Sequence, residues 1–179
     1  RGQNNVQGAC DMGCLPADYP GYQKVANDEV RAKFEKHWGT ALNAKPGLTS
    51  TQIPHAVEEG KVRGLYIFGE DPMRTDPDLG HIQRMLEGLD FLVVQELFVT
   101  ETAKFADVIL PGMSYAEKEG TFTNSERRVQ RVRKAVTLEG QMRLDTDIFA
   151  DVMNRMGYPQ KYLTAAEIML EIASLTPSY

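Results

Sequence analysis

The chain has 179 residues, 42% hydrophobic and 25% charged, with a net charge of -5. That length suffices for one sizeable domain with its own core, and the acidic balance argues against a protein that coats nucleic acid. No apolar run approaches the roughly 18 residues of a membrane span, and no signal-peptide pattern is seen, so the expectation is a cytoplasmic protein without a membrane span.

Arg1 opens directly into a motif-like run with no initiator Met, as expected of a piece of a longer chain. Residues 1–22 are rich in Gly, Pro, Asn and Cys and read as an irregular loop segment, a length that in a compact domain is usually functional. Asn27-Asp28-Glu29 offers a cap and an acidic first turn for a helix to about Trp38, with Val30, Phe34 and Trp38 on one face. Ser50 or Thr51 is a candidate cap for a short helix through Ile53, Ala56 and Val57, stopped by Gly60. Residues 62–68 form the first predicted strand, its apolar run Leu65-Tyr66-Ile67-Phe68 ending abruptly at Gly69. A helix is expected from about Pro77, burying Leu79, Ile82, Met85, Leu86 and Leu89, and Phe91-Leu92-Val93-Val94 is a second buried strand. Strand, helix, strand in this span is a βαβ unit with parallel strands. Residues 106–111 are a third short strand, and residues 117–124 a polar turn. Asp147 or Thr146 is a candidate cap for a helix from about Ile148, and Thr164 caps a last helix through Ile168, Ile172 and Leu175. The expected fold is α/β: a single three-layer Rossmann-like domain over residues 1–179, with a mostly parallel sheet and flanking helices.

Parallel strands put ligands at their carboxyl ends. The ends at Gly69 and Gln95 would lie side by side, converging Glu70, Asp71, Thr75, Gln95, Glu96 and Thr100 on one edge. Carboxylates there suit the donor edge of a guanine or the hydroxyls of a ribose; alternatively Asp71 and Thr75 only shape a turn and cap a helix. Arg127 to Lys134 is a basic run that is either a solvated strand face or a phosphate contact. Lys118 between Glu117 and Glu119 is either part of a surface ion cluster or a point charge toward a phosphate. Neither a P-loop nor G-x-G-x-x-G is present, and no nucleophile–base pair or Ser/His/Asp arrangement is seen. Cys10 and Cys14 lack the C-x-x-C spacing and read as reduced thiols, with a disulfide between them as the alternative. His37, His55 and His81 are scattered along the chain, and none is assigned chemistry.

Several stretches together resemble the large subunit of molybdopterin-dependent formate dehydrogenases, in the wider dimethyl-sulfoxide-reductase family. They are RGQNNVQGACDMGCLP at residue 1, GEDPMRTD at 69, VVQELFVTETAKFADVILPG at 93, EKEGTFTNSERRVQ at 117 and RMGYP at 155. The resemblance implies reversible oxidation of formate to carbon dioxide at molybdenum or tungsten held by two molybdopterin guanine dinucleotides. A 4Fe-4S cluster of the parent enzyme, outside this segment, and iron–sulfur electron-transfer subunits would carry the electrons away. It further implies Arg1 and Gln3 as catalytic residues in the active-site pocket, and Asn5 along the pterin. Gly69, Glu70, Asp71 and Thr75 match the loop that grips one dinucleotide, and Gln95 and Glu96 match its guanosine portion. Lys118 and Asp147 match further contacts, with Asn124, Arg127 and Arg128 as positioning groups. Relatives commonly carry Asp where Glu96 stands. The segment contains neither a cluster-binding cysteine motif nor the Cys or selenocysteine metal ligand, so the isolated piece is expected to be inactive without the remaining domains of its subunit. The alternatives are a non-catalytic scaffold module of a respiratory complex, or another family member such as a nitrate reductase. The intact opening run and Gly69 loop favour the enzyme.

Overall fold

In the computed structural model, which describes residues 3–179, the chain runs α1 (Val6–Asp11), β1 (Asp18–Tyr19), β2 (Gln23–Lys24), α2 (Asp28–Trp38), α3 (Ile53–Glu58), β3 (Gly64–Phe68), α4 (Pro72–Thr75), α5 (Leu79–Glu87), β4 (Phe91–Glu96), a 3-10 turn (Thr102–Phe105), β5 (Val108–Pro111), β6 (Gly120–Thr123), β7 (Val129–Val132), α6 (Asp145–Arg155) and α7 (Ala165–Leu175). It divides into two compact units. One comprises Arg1–Gly47, Lys118–Ala135 and Leu163–Tyr179, and the other Leu48–Glu117 and Val136–Tyr162.

The second unit carries the expected α/β pattern. Its three strands lie in the order β3-β4-β5, all parallel. Apolar residues at 82, 85 and 86 put one face of α5 on the sheet, where Ile82, Met85 and Leu86 bury with Val57 of α3, Ile67, Leu92 and Val94. Each such side chain contributes about 1.5–3 kcal/mol on burial. The boundaries differ from expectation in instructive ways. The third strand starts at Val108 because Asp107 turns toward β4: its backbone N–H donates to the Leu92 carbonyl (2.9 Å) and its carboxylate accepts from the Leu92 N–H (2.7 Å). The helix expected from about Pro77 forms as α5 from Leu79, and a further short helix precedes it in the loop. Pro72 starts the short α4, and Asp78 then caps α5 by accepting from the His81 N–H at 3.0 Å. Gln52, not Ser50 or Thr51, precedes α3. Helix α6 begins at Asp145, so neither Thr146 nor Asp147 is its cap.

In the first unit, Asn27 caps α2 through the Val30 N–H (3.0 Å) and left-handed Gly39 ends it. Phe34 is fully buried, stacked on Tyr19 with ring centroids 4.5 Å apart and tilted against Trp38 at 4.9 Å. Leu175 of α7 closes this cluster, and Thr164 forms the expected cap of α7, as a full capping box with Glu167. Composition predicts an irregular opening segment, but the structure orders part of it. Residues 6–11 form a helix, and β1 pairs antiparallel with β2. Residues 120–123, expected in a turn, are a strand paired antiparallel with β7. The exposed Arg131 on β7 pairs with exposed Glu119 at 3.3 Å. Cys10 and Cys14 are free thiols. No described helix is long and apolar enough to cross a membrane.

Candidate functional site

Parallel pairing puts Phe68 opposite Gln95, and the Gly69 N–H donates to the Gln95 carbonyl at 3.0 Å. The carboxyl ends of β3 and β4 are therefore in register, and the loop after Gly69 rises beside Glu96. Gly69 adopts a left-handed φ of 62°, and nothing lies within 4 Å of where a Cβ would stand. The position demands glycine for its backbone and leaves open space above the strand end.

Around that opening the polar side chains separate into two kinds. Asp71 is half-buried, and its Oδ1 accepts from both the backbone N–H (3.0 Å) and the hydroxyl (2.6 Å) of fully buried Thr102. Thr102 Oγ1 in turn accepts from the Met73 N–H at 3.1 Å. Gln95 is fully buried; it accepts from the Tyr66 hydroxyl and donates to Asp145 Oδ1 at 2.7 Å. Burial pushes the Tyr66 hydroxyl above its ordinary pKa, and nearby Asp145 adds to the shift, so Tyr66 stays a donor. Asp71 and Gln95 are thus committed inside the protein. The second kind faces outward. Glu70 is exposed, and Thr75 donates to its Oε1 at 2.6 Å. Glu96 and Asp147 are half-buried, and Glu96 Oε1 accepts from the Leu97 N–H at 2.6 Å. Each of these three carboxylates keeps acceptor capacity toward solvent.

The other candidates belong to the first unit. A cleft of about 680 Å³ there is lined by Gln3, Val6, Gln7, Phe122, Asn124 and Gln130, among others. Asn5 stands before α1 but does not cap it; its Oδ1 accepts from the Thr123 N–H at 2.9 Å, tying the helix start to β6. Asn124 shapes the hairpin between β6 and β7, accepting from the N–H groups of Glu126 (3.1 Å) and Arg128 (2.9 Å). That loop holds Arg127 in a left-handed φ of 62°, a conformation costing about 1–2 kcal/mol for a non-glycine residue. Its guanidinium meets Asp11 Oδ1 at 3.2 Å and lies over the Tyr22 ring, 5.6 Å from the centroid. Lys118 is half-buried. Arg1 lies outside the described residues.

Residue-type reasoning did not find Asp11, Tyr66, Thr102, Asp145 or Tyr179. Asp11 is buried and collects Gln7 (2.8 Å), Arg127 and the Tyr179 hydroxyl (2.8 Å). Their partners are up to 168 positions away, and no local signal announces them.

Comparison with known proteins gives these arrangements a family. The family model described as molybdopterin oxidoreductase matches residues 2–155. The alpha subunit of an F420-dependent formate dehydrogenase from Methanocaldococcus jannaschii is 51% identical, over all of this chain and 26% of its own length. Formate dehydrogenase H of Escherichia coli K12 is 46% identical, over all of this chain and 25% of its own length. The chain spans between 18% and 26% of the curated relatives it matches. Among solved structures, acetylene hydratase from Pelobacter acetylenicus superposes with a TM-score of 0.58 at 19% identity, over 84% of this chain and 22% of that one, a likeness of fold. With the family model matching residues 2–155, most of its length, the chain belongs to the molybdopterin oxidoreductase family.

Proposed function

We propose that this chain is the part of a formate dehydrogenase large subunit that grips a molybdopterin guanine dinucleotide, in a cytoplasmic enzyme that oxidises formate to carbon dioxide. The observation that carries this is the register of Phe68 with Gln95, which sets the Gly69–Glu70 loop beside Glu96. The relatives at 46–52% identity that bear formate dehydrogenase names support the choice of reaction. The residues fit the cofactor: Glu70, Glu96 and Asp147 offer acceptors to ribose hydroxyls and guanine N–H groups, and Gly69 leaves the approach open. Asp71 and Gln95 keep that surface in shape from beneath, and exposed Thr75 holds Glu70 by donating to its Oε1. The cofactor's molybdenum or tungsten would supply a two-electron acceptor for formate, and a 4Fe-4S cluster and iron–sulfur subunits of the parent enzyme would serve as onward carriers.

The chain's own residues bind and orient. In the first unit Gln3 and Asn124 line the cleft, and Asn5 fixes the helix start against β6. Arg127 is oriented by Asp11. Lys118 supplies a point charge suited to phosphate. Arg1 is assigned to formate's carboxylate, where a guanidinium fork matches two oxygens, an assignment that rests on resemblance.

The test is calorimetric titration of GDP into the cofactor-free full-length subunit, wild type against Asp147→Ala. Losing one charge-assisted hydrogen bond of about 1.5–3 kcal/mol weakens GDP binding by roughly tenfold to a hundredfold. Equal affinity in the two proteins removes Asp147 from the guanosine site. The isolated 179 residues, supplied with cofactor, are expected to show no formate oxidation, and turnover by them would overturn that part.

A further inference from the structure

His55 and Glu58 lie some distance in sequence from His81, and the three come together on the surface of the second unit. His55 and Glu58 lie three residues apart on α3, hence on one helix face. His81 lies in the first turn of α5, where its backbone N–H is held by Asp78, so the side chain is presented at a fixed place. Helices α3 and α5 are packed together through Val57, Ile82 and Met85 beneath. The result is two imidazoles with ring centroids 4.9 Å apart, with a carboxylate against both: Glu58 lies 3.1 Å from His81 Nε2 and 3.5 Å from His55 Nδ1. The three ligand atoms all lie within 4.8 Å of one another.

We propose that His55, Glu58 and His81 form a site for a borderline divalent transition-metal ion, zinc being the type case, that staples α3 to α5. The geometry carries it. Ligand atoms about 2.0–2.2 Å from a tetrahedral ion stand roughly 3.4 Å apart; the imidazoles now reach different oxygens of Glu58, at 3.1 and 3.5 Å, and one ligand atom from each residue already lies within 4.8 Å of the others. Closing the remaining separation takes rotamer adjustment of His55, whose side chain is 68% exposed and meets little resistance. Two imidazoles and one carboxylate select zinc, nickel or copper over calcium or magnesium, which want oxygen ligands. Glu58 and His55 are open to solvent, so an ion can enter and water can complete the fourth position. None of the three residues belongs to the strand-end cluster, and the site is independent of formate chemistry. Its effect is mechanical: α5 follows the Gly69 loop and the short α4, and an ion bridging it to α3 restrains its first turn.

The test uses the full-length subunit, stripped of adventitious metal with a chelator and dialysed against radioactive zinc. Wild type is compared with His55→Ala and with His81→Gln. The wild type is expected to hold one more zinc equivalent at micromolar free metal than either variant. The affinity loss should exceed the about tenfold to hundredfold that removal of an outer-shell partner costs. In hydrogen exchange, zinc should slow residues 79–87 in the wild type and leave them unchanged in His55→Ala. His55 is exposed, so that variant folds, and its unaltered circular dichroism checks this. Equal zinc stoichiometry in wild type and His55→Ala, or no zinc-dependent slowing in the wild type, overturns the proposal.

Discussion

Asp71→Asn isolates what the buried relay under the Gly69 loop is worth. The substitution keeps the shape and the Oδ1 acceptor but removes the charge. Thr102 makes two bonds to that oxygen, 3.0 Å from its N–H and 2.6 Å from its hydroxyl. Bonds to an ionised acceptor contribute about 1.5–3 kcal/mol each and neutral ones about 0.5–1.5, so the pair loses about 2–3 kcal/mol. Because the protein has more than one unit, global unfolding is a poor probe, and local opening is the quantity to measure. Native-state hydrogen exchange of the full-length subunit reads it directly. The Thr102 amide donates to Asp71, and the Met73 amide donates to the Thr102 hydroxyl. Both should exchange about 30- to 150-fold faster in the variant, while residues 79–87 keep their protection. Thr102→Val should expose Met73 alone, by about 1–3 kcal/mol, since it removes the hydroxyl and keeps the Thr102 N–H bond. Exchange at Met73 and Thr102 within about threefold of wild type in Asp71→Asn would refute the relay as a stabilising element.

Gly8→Ala should destabilise the first unit although it improves helix propensity. The new Cβ would stand 2.1 Å from Asn5 Oδ1. Displacing Asn5 leaves the Thr123 N–H, in a buried residue, without its acceptor, a loss of about 1–3 kcal/mol against a propensity gain of about 1. Faster exchange at Thr123 checks it, and a neutral or stabilised variant contradicts it. Asp11 gives a pH dependence of definite sign. Burial alone would raise its pKa, but hydrogen bonds from Tyr179, Gln7 and Arg127 outweigh burial and hold the carboxyl below its ordinary range. Its stabilisation is therefore present above the unfolded-state pKa and is lost as pH falls through the folded one. The stability difference between wild type and Asp11→Asn should be full above the unfolded-state pKa of about 4 and shrink as pH falls further, through the lower folded one, and a difference that grows on acidification contradicts the assignment.

The parts of the fold legible in sequence were those driven by local pattern. The apolar run 65–68, the helix face at 82, 85 and 86, and the caps at Asn27 and Thr164 all carry their cause within a few residues. The helix at residues 6–11 was not legible, because it sits in a stretch rich in Gly, Pro and Asn and its start is fixed by Asn5 reaching Thr123, 118 positions away. For the strand-end residues, identity was readable but orientation was not. Asp71, Gln95 and Glu96 look alike as polar residues near strand ends, and only the fold turns the first two inward and leaves the third half-open. The histidines show the same limit from the other side: residues 55 and 81 meet only because α3 packs on α5.

The first unit is assembled from three separated stretches of chain, while the βαβ core of the second is contiguous from Leu48 to Glu117. A ribosome delivers the chain from its amino end, so the sheet β3-β4-β5 has all its strands long before α7 exists. The aromatic cluster of Tyr19, Phe34 and Trp38 must wait for Leu175, and Asp11 for Tyr179. Closure over such separations is slow, since loop entropy is lost before the contacts form. During synthesis the nascent α2 therefore carries a bare aromatic face, the kind of surface that chaperones recognise and that aggregates when they do not. The dinucleotide-gripping surface proposed for the second unit is ready first, and the opening segment is locked down last.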